Sequence, residues 1–149
     1  MQTKQVTIHQ LNSLLCNLHT FYQNTRAFHW NIKGPVFFEL HEKFEELYTY
    51  LFELIDEIAE RIVALEGDPI FDFVQISQNS QIAIATSTVD SYQNLSQCID
   101  SLKIIIEQER KIITESLKET DYGTVEILQR HLAKQEKLLW MYQSYQTGK

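Results

Sequence analysis

The sequence predicts an all-α fold, a four-helix bundle with one long crossover, on three observations. Apolar residues recur at spacings of three and four along four long stretches. The first pair of stretches and the last pair are each joined by a short break, Lys33-Gly34-Pro35 and Thr120-Asp121-Tyr122-Gly123. The middle pair is separated by a long polar segment from Asp68 to Ser87.

The first helix is expected from about Thr7 to Ile32, with Ile8, Leu11, Leu15, Leu18 and Tyr22 on one face. Lys33-Gly34-Pro35 ends it and opens the second, since proline is tolerated in a first turn. The second helix is expected from Pro35 to Glu66. Its stripe is Phe37, Leu40, Phe44, Leu47, Leu51, Ile55, Ile58, Ile62 and Leu65. Gly67-Asp68-Pro69 stops it. Within the Gln-, Ser- and Asn-rich connection, Ile70–Ile76 is expected to form a short extra helix. The third helix starts near Ser87 or Thr88, where Ser87 and Asp90 resemble a weak capping box. Tyr92, Leu95, Ile99, Leu102, Ile106 and Ile113 form its stripe. Val125, Leu128, Leu132, Leu139 and Tyr142 form that of the last helix.

Short connections make each pair an antiparallel hairpin. A middle connection this long can run the length of a helix, which is the ferritin-like arrangement. The alternative is a simple up-down bundle with a floppy loop, and a structureless loop of that length is unusual in a compact domain. The 149 residues fit one domain, residues 1–149, with no internal repeat.

Thirteen Lys and Arg against 20 Asp and Glu give a net charge of −7. That sign disfavours a nucleic-acid backbone and suits cations. Cys16 and Cys98 stand in no CxxC pattern and read as two free thiols in a reducing compartment. With no secretory h-region and no long apolar run, no membrane association is expected, and the expected location is cytoplasmic.

The chemistry-bearing residues lie on the second helix. At about 100° per residue, Glu45, Asp56 and Glu60 lie about 40°, 60° and 100° around from His41, so all four share one side. Along the axis, His41 and Asp56 are about 22 Å apart at 1.5 Å per residue. Metal–ligand bonds are close to 2 Å, so one chain cannot bring the two pairs together. A second copy laid antiparallel about a two-fold axis near Tyr50–Leu51 can, because His41 and Glu45 of one copy then face Asp56 and Glu60 of the other. His29 lies six residues before Pro35 and His41 six after it, which levels the two imidazoles across the hairpin. Two imidazoles and three carboxylates suit one or two divalent transition metals better than calcium or magnesium. Iron, zinc, manganese and cobalt are not separated by ligand type. Each feature has a blander reading: an Asp-x₃-Glu pair as solvated charge, a lone histidine as a satisfied core group. Their conjunction favours a metal site over a bundle that merely binds a partner.

HWNIKGPVFFELHEKFEELY followed by DEIAERIVALEGDP resembles the signature region of the Dps family, the mini-ferritins named as DNA-binding proteins from starved cells. Weaker similarity runs through GTVEIL and EKLLWM, so it covers most of the chain. The resemblance implies a twelve-subunit hollow homo-oligomer with ferroxidase sites at its two-fold interfaces. Ferrous iron is oxidised there, typically by hydrogen peroxide, and the ferric product is stored as mineral. His29 and His41 match the histidine ligands of the two-iron site, and Asp56 and Glu60 the acids given by the partner chain. Glu45 stands where aspartate is usual, one methylene longer. No Glu-x-x-His motif of the larger ferritins is present.

Trp30 matches the family's tryptophan near iron, a redox candidate against the plainer reading of a core indole. Arg61 reads as an ion-pair partner; His9, His19 and His131 as structural or surface groups; Tyr48 and Tyr50 as packing residues. Asp121 and Glu126 match the region whose acids line channels in the family, where a ring of carboxylates draws cations. The blander roles are a helix cap for Asp121 and a dipole partner for Glu126. The alternative function is DNA compaction. It is disfavoured because the termini carry only Lys4 and Lys149 on an acidic chain.

Overall fold

The computed structural model describes residues 2–147. Its elements are α1 (Gln2–Asn31), α2 (Phe37–Ala64), α3 (Phe73–Asn79), α4 (Ser91–Lys118) and α5 (Tyr122–Thr147). The four long helices bury the expected stripes. Leu11, Leu15 and Leu18 of α1, Leu40, Phe44, Leu47, Leu51, Ile58 and Ile62 of α2, Leu95, Ile99 and Leu102 of α4, and Leu128 of α5 meet in one core. Each such side chain contributes roughly 1.5–3 kcal/mol by leaving water.

One short pairing fixes the topology. The Lys33 N–H donates to the Val89 carbonyl at 3.3 Å, and Lys33 and Asp90 form an isolated parallel bridge. The start of α4 therefore lies beside the α1–α2 turn, at the end where α2 also starts. The crossover must run the length of the bundle, which makes α2 and α4 parallel. This is the ferritin-like four-helix bundle with a short extra helix in its crossover, not the simple up-down form.

Three asparagines of α1 hold the crossover's backbone polar groups. Asn12 donates to Asp68 O and accepts from Ile70 N. Asn17, fully buried, accepts from Gln81 N at 2.7 Å, Ile82 N at 3.2 Å and the Ser80 hydroxyl at 3.2 Å. Asn24 donates to Ala83 O and accepts from Ala85 N. A connection without a ladder of its own thus satisfies its backbone on the neighbouring helix.

Several boundaries differ from the sequence reading. Helix α1 starts at Gln2 rather than Thr7, and Lys4 reaches across to Glu66 at 2.7 Å. Pro35 lies outside α2, whose N-cap is Val36; Gly34, at φ +114°, makes the turn. The α2 terminus is a Schellman motif in which Gly67 N bonds Ile62 O and Glu66 N bonds Val63 O. Its left-handed residue is Glu66, at φ 65°, not the glycine. Gly67 is required for a different reason: a Cβ there would lie 2.7 Å from the Ile8 side chain. Helix α3 is shifted three residues from Ile70–Ile76, because Asp72 caps Val74 and Gln75. Helix α4 is capped by Asp90, bonded to Tyr92 N and Gln93 N, and not by Ser87.

Candidate metal centre

His29 sits in the last turn of α1 and His41 in the second turn of α2. Their rings stack with centroids 3.7 Å apart and planes 14° apart. His29 Nδ1 lies 2.7 Å from His41 O, and His41 Nδ1 lies 2.8 Å from His29 O. A carbonyl only accepts, so both Nδ1 atoms carry a proton and donate. In a neutral ring with this tautomer Nε2 carries the lone pair, the form in which imidazole ligates a metal. The His29 carbonyl is free for this because helix-terminal carbonyls lack intrahelical partners. Its would-be donor, Lys33 N, is turned to Val89 instead. Phe37 stacks on His41 at 4.8 Å, and Tyr48 meets His29 edge-on at 5.3 Å. Ring orientation is thus held by hydrogen bonds and packing within the single chain.

Glu45, Asp56 and Glu60 are exposed on the same helix. Among the described residues, no three His, Cys, Asp or Glu side chains gather closely enough to hold a metal ion. The structure joins His29 to His41 and leaves the three acids apart from them within one chain. Asp56 lines an apolar groove of about 800 Å³ between α1, α2 and α3, together with Tyr22, Phe52, Phe71 and Phe73. The last three are large apolar residues 62%, 86% and 83% exposed.

The remaining candidates divide. Trp30 is 55% exposed, which corrects the reading of it as a core indole. Arg61 is an ion-pair partner, with Nη2 2.5 Å from Asp121 and Nε 2.9 Å from the Thr124 hydroxyl. Its guanidinium also fills the space that a side chain at Gly123 would take. Asp121 accepts from Thr124 N and the Thr124 hydroxyl at the start of α5. Burial alone would raise the Asp121 carboxyl, but Thr124 and Arg61 together hold it below its ordinary value. Glu126 is exposed and paired with Arg130 at 3.2 Å.

Sequence reasoning missed a polar chain through the core. Glu109 is fully buried, and Gln135 donates to it at 2.8 Å. Gln135 also reaches the Tyr50 hydroxyl at 3.3 Å, which lies 2.9 Å from His131 Nδ1. His131 Nε2 lies 2.6 Å from Glu57, which pairs with Arg130. The signal was available: Glu109 falls four after Ile105 and three before Ile112, on the buried face of α4.

A family model for ferritin-like domains matches residues 8–147. The DNA protection during starvation protein of Porphyromonas gingivalis is 39% identical over 137 residues, covering 92% of this chain and 86% of that one. This chain belongs to the Dps family. The crystal structure of the Dps protein from Vibrio cholerae, a member of a broad superfamily of ferritin-like diiron-carboxylate proteins, superposes with a TM-score of 0.95. It is 39% identical, and the match covers 97% of this chain and 91% of that one. Dps from Listeria innocua, whose crystals have been soaked with zinc, is 29% identical with a TM-score of 0.89, over 93% of this chain and 94% of that one. Among the described residues of this Dps-family chain, no helix is long and apolar enough to cross a membrane.

Proposed function

We propose that this Dps-family chain is a cytoplasmic ferroxidase and iron store. Ferrous iron is its substrate, and His29, His41 and Glu45 of one subunit hold it together with Asp56 and Glu60 of a two-fold partner. The observation that carries this reading is the reciprocal Nδ1-to-carbonyl pair, which orients the His29 ring of α1 and the His41 ring of α2 with their Nε2 atoms free to ligate, His41 sharing its helix with three exposed acids. Two neutral imidazoles with carboxylates fit ferrous iron, and also zinc, manganese or cobalt. The apolar groove beside Asp56 supports burial of this face by a second copy, and the family's twelve-subunit shell supplies the enclosure for ferric mineral.

Two ferrous ions held side by side each give one electron to a single hydrogen peroxide. The O–O bond breaks, and both oxygens leave as water after taking up two protons. No odd electron is left to escape as hydroxyl radical. The protein's part is positioning and shielding. Glu45, one methylene longer than aspartate, bears on the second iron position, while Asp56 and Glu60 with an imidazole hold the first. Glu126, exposed near the start of α5, is the acid there that can line an iron channel, since Asp121 is engaged as a cap. Direct DNA binding is disfavoured by the net charge of −7, and Lys4 is engaged with Glu66 at 2.7 Å.

Mixing tests the cross-chain assignment. His41→Ala and Asp56→Ala each abolish rapid ferrous consumption. After full subunit exchange, mixed dimers contain one intact site and one doubly depleted site, so part of the rate returns. A mixture no faster than either parent refutes the assignment.

A further inference from the structure

The start of α4 reaches the candidate centre through the backbone of one residue. Helix α1 ends where the Lys33 N–H leaves the helical ladder for Val89 O at 3.3 Å, and the Ser91 hydroxyl donates to Lys33 O at 3.4 Å. Both backbone groups of Lys33 are thus taken by the segment that opens α4. Gly34, at φ +114°, then reverses the chain, and the Phe37 N–H closes the turn on Gly34 O at 3.2 Å. Across this hairpin the two imidazoles make their reciprocal carbonyl bonds, 2.7 Å and 2.8 Å long. Such bonds weaken beyond about 3.2 Å. One more helical residue at the end of α1 would carry the chain on by about 1.5 Å and about 100° around the axis. The two bonds cannot both survive that slip. The α4 segment is itself held from the core. Asn94 is fully buried; its Nδ2 donates to Thr88 O at 2.8 Å, and its Oδ1 has no partner among the described residues. Burying an amide with its oxygen unpaired is costly, so the bond to Thr88 is what this side chain contributes. That bond fixes the peptide immediately before the Val89 carbonyl, and Asp90 fixes the one after it by capping Tyr92 N and Gln93 N.

We propose that Asn94 is a positioning residue for the metal centre, acting through Thr88 and Val89 on the Lys33 N–H, which pins the register of the α1–α2 hairpin and so the facing of His29 and His41. The proposal rests on the metal-centre reading above. It makes the crossover more than a connection: where it enters α4, it sets the distance between two ligands carried by other helices. Asn94 touches the centre only through this backbone path. Loss of the pin therefore changes how the imidazoles are held, and leaves every candidate ligand present.

The experiment titrates the assembled, metal-free protein with cobalt(II), read by calorimetry and by the visible absorption of the bound ion. Asn94→Leu removes the bond to Thr88 O, and Lys33→Pro removes the N–H itself at an exposed position, so one variant serves if the other fails to fold. Each is expected to bind cobalt about 10–100-fold more weakly, the range for loss of a group that orients a ligand, with a changed absorption spectrum. The double variant is expected to be no weaker than the weaker single, because both changes break one path. Asn17→Ala loosens the crossover at residues 80–82 and leaves the pin alone, so its cobalt affinity stays that of the parent. Parental affinity and spectrum in Asn94→Leu and Lys33→Pro overturn the proposal. So do losses that multiply in the double variant, or an equal loss in Asn17→Ala, which would make the effect one of stability. A parent that binds cobalt no better than His41→Ala removes the proposal and the metal-centre reading together. A parent that binds cobalt with the expected variant pattern, yet consumes ferrous iron no faster than buffer, keeps the pin and removes the ferroxidase reading.

Discussion

Glu109 shows how one buried carboxyl shapes the chain's response to pH. Burial pushes it up to about 8 from an ordinary 4.5, with the Gln135 hydrogen bond opposing. The folded chain keeps a proton at Glu109 across neutral pH, where the unfolded chain has released it. Stability from this group is therefore lost as pH rises from about 4.5 through about 8, and is level above that. The cost is on the order of 5 kcal/mol at most, taking 1.36 kcal/mol per pKa unit. Glu109→Gln is expected to remove this slope: thermal melts of variant and parent should coincide near the acid end and separate steadily toward pH 8. Parallel melting curves across the window would mean that Glu109 is ionised in the fold. Glu57 behaves in the opposite sense. The Arg130 hydrogen bond, against burial and with help from His131, holds it below its ordinary value. Its stabilising share is present at neutral pH and is lost as pH falls below the usual carboxylate range.

At the scale of elements, the crossover depends on α1 more than on its own sequence. Asn17 accepts three donors from residues 80–82 and gives its amide to Gln108 at 2.9 Å. Asn17→Ala takes this acceptor from the part-buried Gln81 N–H and the buried Ile82 N–H, while the Ser80 hydroxyl keeps Ile82 O, and unpaired buried groups cost about 1–3 kcal/mol each before water reaches them. We expect a loss of about 3 kcal/mol in denaturant unfolding, with faster amide exchange confined first to residues 80–85. A loss below about 0.5 kcal/mol would show that the crossover is held from elsewhere. This dependence explains what the sequence hid. The stripes from Leu11 to Tyr142 were legible because burial imposes helical spacing, and the crossover because of its length. The asparagines were not, since Asn12, Asn17 and Asn24 follow no period and their partners are backbone atoms more than fifty residues away. Cap positions slipped for a similar reason. Asp72 and Asp90 are chosen over Ile70 and Ser87 by where the crossover is anchored, which no local pattern records. In the candidate centre, the levelling of His29 and His41 could be counted from Pro35, whereas their reciprocal carbonyl bonds depend on the turn geometry at Lys33 and Gly34.

For the whole molecule, the question is whether the centre exists without a second copy. Phe52 lies one residue from the two-fold axis inferred near Tyr50–Leu51, and is 62% exposed on the single chain. Phe71 and Phe73 rim the same groove. Exposed apolar groups concentrated in one place mark an interaction surface. Near a two-fold axis, a residue approaches its own copy, so a charge placed there meets the same charge. Phe52→Glu removes an apolar side chain and sets two carboxylates against each other, while His29, His41, Glu45, Asp56 and Glu60 remain intact. Being exposed in the single chain, the substitution leaves the bundle core alone. The expected outcome is a folded protein of reduced size by sedimentation, with helical content unchanged by circular dichroism. Its ferrous consumption should fall to that of buffer, because each chain then holds only half of a centre. Raising the salt toward 1 M shortens the screening length to roughly 3 Å, which weakens the repulsion of the carboxylate pair and should restore part of the assembly and part of the rate together. A monomeric Phe52→Glu protein that still oxidised ferrous iron at the parental rate would place the centre within one chain, contrary to the distance between His41 and Asp56.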